Sequence, residues 1–127
     1  MNGRSFTLIE KNVAARVGDA TVRVDHLTVD PTVLVSGRVT VDISPRLRSA
    51  LFELIHKSPG RLLVVDVSEV SHIDISGFAA LLEALNWAHK HSTRLRLAGM
   101  RGQPRRLAEL AQLDEIFRAL GSEVEFS

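Results

Sequence analysis

Residues 72–77 read HIDISG, and their side chains are of types that could do chemistry. His72 and Ser76 are the base and nucleophile types of a hydrolase, with Asp74 between them. However, DISGF is not the G-x-S-x-G turn that exposes a nucleophilic serine, and no third residue is evidently placed to orient a base. We therefore predict that the chain is not an enzyme. Two roles stay open for Ser76: capping a helix, at about 1 kcal/mol, or accepting a phosphoryl group from a kinase.

A second group of residues that could do chemistry consists of three arginines. They lie where a predicted strand meets a helix that begins near Pro104. Such a position suits an anion, although a solvated surface is the alternative. The three are Arg101, Arg105 and Arg106. His89 and His91 are two apart on a predicted helix, so their side chains diverge and do not form a metal pair. We predict neither a metal nor a cofactor.

Composition narrows the class of protein. The chain has 127 residues, of which 45% are hydrophobic, enough for one compact domain over residues 1–127. Lysine plus arginine number 16 against 15 acidic residues, so no basic excess favours a nucleic-acid partner. There is no cysteine, which excludes disulfides and thiolate chemistry. No segment approaches a signal peptide or the roughly 18 apolar residues of a membrane span, so we expect a cytoplasmic protein without membrane insertion.

The elements before the HIDISG segment begin with an arm or lead-in strand over residues 1–20. From Thr21, TVRVDHLTV alternates as a strand, and TVLVSG forms a second strand after an Asp30-Pro31 turn. Ser44 and Pro45 then predict a helix start, with Ser44 as N-cap and Pro45 at the first helical position.

The elements around and after Ser76 alternate between strand and helix. RLLVVDV is a nearly continuous apolar run, typical of a central strand covered on both faces. Apolar residues at helical spacing follow Ser76, then TRLRLAG as a strand, QPRRLAELAQL as a third helix, and SEVEFS as a closing strand or tail. This order predicts an α/β fold whose central mixed sheet has a largely parallel core and an antiparallel N-terminal strand pair.

The segment VVDVSEVSHIDISGFAALLEAL resembles the STAS domain, the family of sulfate transporters and anti-sigma factor antagonists. SGRVTV upstream and RLAELAQLDEIF downstream extend the resemblance over about residues 21–117. The most specific part is a spaced set of residues: Asp66, Ser68, Val70, Ile73, Asp74, Ser76 and Gly77. In antagonists of this family, the serine before that glycine is phosphorylated by a partner that is both kinase and anti-sigma factor. The resemblance therefore implies a phosphorylation site at Ser76.

The chain departs from the family pattern at three positions. Ile75 replaces the first of two serines that commonly precede the glycine. Thr40 stands where the family has an acidic residue, and Asp42 is close enough to substitute. Gln112 replaces a glycine near the end of the third helix, so we expect that helix to run on or to end without a left-handed residue.

The predicted partner surface includes Ser76 and continues along the following helix. It comprises Asp74, Ile75, Ser76, Gly77, Ala80, Ala84 and Trp87. Core packing is the favoured interpretation of Trp87, the only tryptophan, with a partner anchor as the alternative. A position tucked under the helix is the favoured interpretation of Ile75.

The resemblance implies a phosphorylation-switched binding module. Unphosphorylated, the protein would sequester an anti-sigma factor and free the sigma factor. Phosphorylated on Ser76 by its kinase partner, the protein would release the anti-sigma factor until a serine phosphatase removes the phosphate. The alternative is a constitutive STAS subunit of a signalling scaffold or lipid-transport complex, in which Ser76 only caps a helix. A nucleotide-binding or hydrolytic protein that uses the arginine group is a third possibility.

Overall fold

The computed structural model describes residues 12–17, 20–25, 31–119 and 123–126. The predicted arm before residue 12 and most of the predicted Asp30-Pro31 turn lie outside this part of the chain. The strands and helices in it are β1 Asn12–Val17, β2 Ala20–Asp25, β3 Thr32–Val39, α1 Ser44–His56, β4 Leu62–Ile73, α2 Ile75–Lys90, β5 Arg94–Met100, α3 Gly102–Leu110, α4 Leu113–Ala119 and β6 Glu123–Phe126.

The described strands form one six-stranded sheet in the order β1-β2-β3-β4-β5-β6. β1, β2 and β3 pair antiparallel, whereas β3, β4, β5 and β6 pair parallel. Val65 of β4 lies beside Val33 of β3 and Leu97 of β5. The predicted α/β fold, with an antiparallel N-terminal pair and a parallel core, is confirmed.

The core lies on one face of this sheet. Because parallel neighbours follow one another in chain order, right-handed crossovers place their helices on the same side. One buried cluster joins strand and helix residues, among them Val33, Val65, Leu51, Leu85 and Phe117. The rings of Phe78 in α2 and Phe117 in α4 lie 6.1 Å apart.

β4 is the central strand of the parallel region, but the prediction that both of its faces are covered is wrong. Leu63, Val65 and Val67 are buried, whereas the side chains between them are half-buried. The continuous apolar run hides this alternation because Leu62 and Val64, on the second face, are apolar as well.

The start of α1 also differs from the prediction. Its N-cap is Ile43, without a side-chain cap bond, and the Ser44 hydroxyl donates to the Thr40 carbonyl at 2.7 Å. Ser44 therefore closes the preceding turn instead of capping the helix. Pro45 lies in the first turn, where its missing N–H leaves no helical hydrogen bond unmade.

The predicted third helix is divided into two. α3 ends at Leu110, and Gln112 has φ 56°, in the left-handed region, before α4 begins. The Gln112 N–H donates to the Glu109 carbonyl at 3.2 Å. The expectation that this helix runs on or ends without a left-handed residue is thus wrong, because Gln112 itself adopts the left-handed conformation that glycine usually takes.

Candidate functional site

The candidate site lies at the edge of the sheet where the parallel strands β3 and β4 end. β3 ends at Val39 and leads into the turn before α1, and β4 ends at Ile73, directly before Asp74 and α2. The backbone N–H of Asp74 donates to the Val39 carbonyl at 3.1 Å. The two strand ends therefore hold the start of α2 beside the start of α1.

Asp74, rather than Ser76, is the N-cap of α2. Its Oδ1 accepts a hydrogen bond from the Gly77 N–H at 2.8 Å, and its Oδ2 accepts one from the Val41 N–H at 3.0 Å. Of the two roles left open for Ser76, capping this helix is therefore wrong. Asp74 has extended backbone angles, the usual conformation of an N-cap, and Ser76 is already the second helical residue.

Position 77 has room only for glycine. An added Cβ would lie 2.6 Å from Cγ1 of Ile73 and 2.8 Å from the carbonyl oxygen of Val39. The first turn of α2 thus packs directly on the ends of β3 and β4. This contact fixes the height of Ser76 above the sheet.

Ser76 is half-buried and lines a groove between the starts of α1 and α2. Pro45 and Arg48 line it from α1, and Ala79 and Glu83 line it from α2. Nη1 of Arg48 lies 2.8 Å from Oε1 of Glu83, so an ion pair joins the two helices. A group added to the Ser76 oxygen would lie in this groove or on the surface beside it.

Two exposed apolar side chains flank the Asp74 cap. Ile75 is 59% exposed and Val41 is 60% exposed. The predicted tuck of Ile75 under the helix is therefore wrong. The cap bond to Val41 holds both residues at the same strand edge, which makes an apolar surface beside Ser76. We call Val41, Ile75, Ser76 and Ala79 the switch surface; the side chain of Ala79 is also exposed.

The predicted extension of the partner surface along α2 must be corrected. Ala84 is 0% exposed and Ala80, which lines the groove, is 4% exposed, so the two alanines offer a partner almost no surface. Trp87 stacks on Phe52 of α1, with ring centroids 5.0 Å apart, and on His91 at 4.3 Å. Core packing, the favoured interpretation of Trp87, fits this arrangement, because α1 of the same chain packs against this side of α2.

Gln103 also holds the site in place, although no pattern in the sequence indicated this role. Its Oε1 accepts from the Ile73 N–H at 2.8 Å, and its Nε2 donates to the Ile73 carbonyl at 2.9 Å. A side-chain amide therefore pairs with the last residue of β4 as a neighbouring strand would. The site is held from the α3 side by this pair.

The arginine group lies at the same strand edge, near the start of α3. Nε of Arg101 donates to the Ser68 carbonyl at 3.0 Å, and Nε of Arg105 lies 3.1 Å from Oε2 of Glu109. Arg106 is exposed. Anion binding by these residues stays a prediction.

His72 is half-buried, and no group of three or more metal-ligating side chains occurs among the described residues. None of the described helices is long and apolar enough to cross a membrane.

Comparisons with known proteins agree with this architecture. The chain is 26% identical over 103 residues to an anti-sigma-B factor antagonist of Listeria monocytogenes, covering 81% of this chain and 86% of the relative. A crystal structure of an anti-sigma factor antagonist from Mycobacterium paratuberculosis superposes with a TM-score of 0.67 at 26% identity, covering 77% of this chain and 82% of that one.

A third likeness concerns the fold alone. A sulfate transporter family protein from Wolinella succinogenes has a TM-score of 0.59 at 21% identity, with 75% of this chain and 74% of that chain covered. The family described as "Mlab, STAS domain" matches residues 22–121. The chain therefore belongs to the STAS domain family.

Proposed function

We propose that this protein is an anti-sigma factor antagonist whose binding is switched by phosphorylation of Ser76. Unmodified, it binds an anti-sigma factor through the switch surface and thereby frees a sigma factor in the bacterial cytoplasm. A serine kinase, which is the anti-sigma factor itself, phosphorylates Ser76 and causes release, and a serine phosphatase reverses the step. The relatives named as antagonists support this function.

The observation that carries the proposal is that Asp74 caps α2, which relieves Ser76 of that role. A serine hydroxyl that accepted the cap bond would be held against the backbone, and its modification would cost helix stability. Here the cap bond is made by a carboxylate two residues earlier. Ser76 can therefore change its charge while the cap stays intact.

The first turn of a helix also tolerates the added charge. Backbone N–H groups without helical partners, and the positive end of the helix dipole, favour an anion there. We therefore expect the phosphorylated domain to keep its fold. The switch then acts on the surface, not on folding.

The environment of Ser76 gives the charge its effect on binding. Ile75 and Val41 offer apolar contact area, and a partner that covers them must remove water from the neighbouring Ser76. Phosphorylation adds about −1.5 to −2 charges, and a loss of about 2 to 4 kcal/mol in binding corresponds to roughly 30- to 1000-fold in affinity. A change in affinity of this size is enough to convert mostly bound protein into mostly free protein.

The constitutive-subunit alternative is altered by the structure. Its premise was that Ser76 serves as the helix cap, and Asp74 serves instead. A permanent subunit would still use the apolar part of the switch surface. The alternative then predicts a Ser76 that is never modified.

Intact-mass and peptide mass spectrometry of the protein isolated from its own cells separates the two functions. The proposal predicts a fraction carrying one added phosphoryl group, located in the peptide that contains Ser76, and a change in this fraction when the sigma factor is activated. Unmodified Ser76 under both conditions would contradict the proposal. A Ser76→Ala strain is the control, because it must lose the modified peptide.

A further inference from the structure

The ion pair between Arg48 and Glu83 borders the groove that Ser76 lines. Nη1 of Arg48 and Oε1 of Glu83 are 2.8 Å apart, and their side chains are 46% and 50% exposed. The guanidinium carbon of Arg48 also lies 6.0 Å from the centre of the Phe52 ring. Arg48 is thus held at the groove by one exposed carboxylate and one ring.

This pair is weak enough to exchange. Ion pairs with such exposure are screened by solvent and contribute little to stability. A phosphate monoester carries more charge than a carboxylate and presents three acceptor oxygens, to which a guanidinium binds in a two-pronged manner. Arg48 is the one cation among the groove-lining residues in the described part of the chain.

We propose that Arg48 is the internal receptor for a phosphate on Ser76: its guanidinium leaves Glu83 and pairs with the phosphate. This inference rests on the proposed phosphorylation of Ser76. The exchange neutralises part of the phosphate charge within the domain and leaves the Glu83 carboxylate free on the exposed side of α2. The surface that the partner meets therefore changes at two positions, the phosphate and Glu83, after one modification.

The test uses the full chain with phosphoserine incorporated at position 76 during translation, so that it does not depend on a natural kinase. The phosphate is titrated by ³¹P NMR in the wild-type background and in Arg48→Gln. Pairing with Arg48 favours the dianion, so the titration midpoint should rise by about half a pH unit in Arg48→Gln. The rise should shrink at high salt because the pair is exposed. Equal midpoints in the two proteins would overturn the proposal.

Matched variants separate pairing from general charge. Arg46→Gln removes an exposed arginine of the same helix that does not line the groove, and its midpoint should stay at the wild-type value; a rise equal to that of Arg48→Gln would contradict the proposal. Glu83→Gln should lower the midpoint more in the wild-type background than in Arg48→Gln, because it removes both a negative charge and the competitor for Arg48. Equal effects in the two backgrounds would count against exchange.

Two further controls are needed, one for loss of folding in Arg48→Gln and one that distinguishes failure of this proposal from failure of the proposed function. If Arg48→Gln does not fold, Arg48→Lys replaces it, because lysine keeps the charge without the planar fork. The titration midpoint of Arg48→Lys should then lie between that of the wild type and that of free phosphoserine. A midpoint at the value of free phosphoserine would overturn the proposal. A natural protein without phosphate would defeat the proposed function, whereas equal NMR midpoints would defeat only the role of Arg48.

Discussion

Asp74 and Val41 lie 33 residues apart in the sequence, yet the Asp74 carboxylate accepts the Val41 N–H at 3.0 Å. The other oxygen of the same carboxylate caps α2 through Gly77 at 2.8 Å. One side chain therefore ties the turn before α1 to the start of α2. The switch surface owes its shape to this connection, because Val41 and Ile75 stand on either side of it.

The first prediction concerns Asp74 itself. Asp74→Ala removes the cap and the bond to Val41, so the free energy of unfolding should fall by about 2 kcal/mol. Asp74→Asn keeps one acceptor oxygen and should lose about half as much. Urea denaturation of the three proteins measures both values. An alanine variant as stable as the wild type would show that the two hydrogen bonds do not hold the site.

Gly77→Ala tests the close approach of α2 to the sheet. Alanine favours a helix over glycine by about 1 kcal/mol, but its Cβ would lie 2.8 Å from the backbone oxygen of Val39. Backbone cannot move away cheaply, so we expect a net loss of about 1 to 3 kcal/mol. Ala79→Gly, at an exposed position of the same helix, is the control and should lose about 1 kcal/mol from propensity alone. A more stable Gly77→Ala protein would contradict the packing described.

Gln103→Leu tests the side-chain pairing with β4. The substitution leaves the N–H and carbonyl of Ile73 without their partner, at a cost of about 2 kcal/mol. Native-state hydrogen exchange should show faster exchange of the Ile73 amide. In Gln103→Glu, the carboxylate still accepts from that N–H but cannot donate to the carbonyl, so protection should be partly retained. Unchanged exchange at Ile73 in the leucine variant would refute the pairing.

Trp87 should matter for folding and not for partner binding. Trp87→Ala removes the stack on Phe52 between α2 and α1 and should lower the free energy of unfolding by about 2 to 3 kcal/mol, less than for a fully buried ring. Trp87→Phe keeps a ring and should recover most of this loss. At temperatures where both variants are folded, each should bind the anti-sigma factor with wild-type affinity. A tenfold loss of affinity in the folded phenylalanine variant would return Trp87 to the partner surface.

Much of the fold follows from local patterns in the sequence. Alternating and continuous apolar runs identified β2 to β5, and the spacing of Phe78, Leu81 and Leu85 identified the buried face of α2. These patterns suffice because burial of one face determines which residues of a strand or helix must be apolar. The order of strands and helices then restricted the sheet to a mixed one.

The details of the site did not follow from those patterns. Asp74 and Ser76 are both favoured N-cap residues, and the choice between them depends on Val41, which is remote in sequence. Likewise, Ile75 is apolar yet exposed, and no local pattern distinguishes it from a core residue. The Gln103 contact depends on the position of α3 beside the end of β4, which only the tertiary structure specifies.

The central claim is that negative charge at Ser76 weakens partner binding without weakening the fold. Because Asp74 provides the cap, Ser76→Ala should change the free energy of unfolding by less than about 0.5 kcal/mol. Ser76→Asp adds a negative charge to the first helical turn and should be as stable as the wild type, or more stable by about 0.3 to 1 kcal/mol. Thermal denaturation measures these differences and ensures that binding is compared among folded proteins.

Titration calorimetry of wild type, Ser76→Ala and Ser76→Asp against the anti-sigma factor encoded in the same genome tests this claim most directly. We predict equal affinity for wild type and Ser76→Ala, and a loss of about tenfold or more for Ser76→Asp, which carries less charge than a phosphate. Equal affinity of all three folded proteins would contradict the account, because Ser76 would then lie outside the surface that the partner covers.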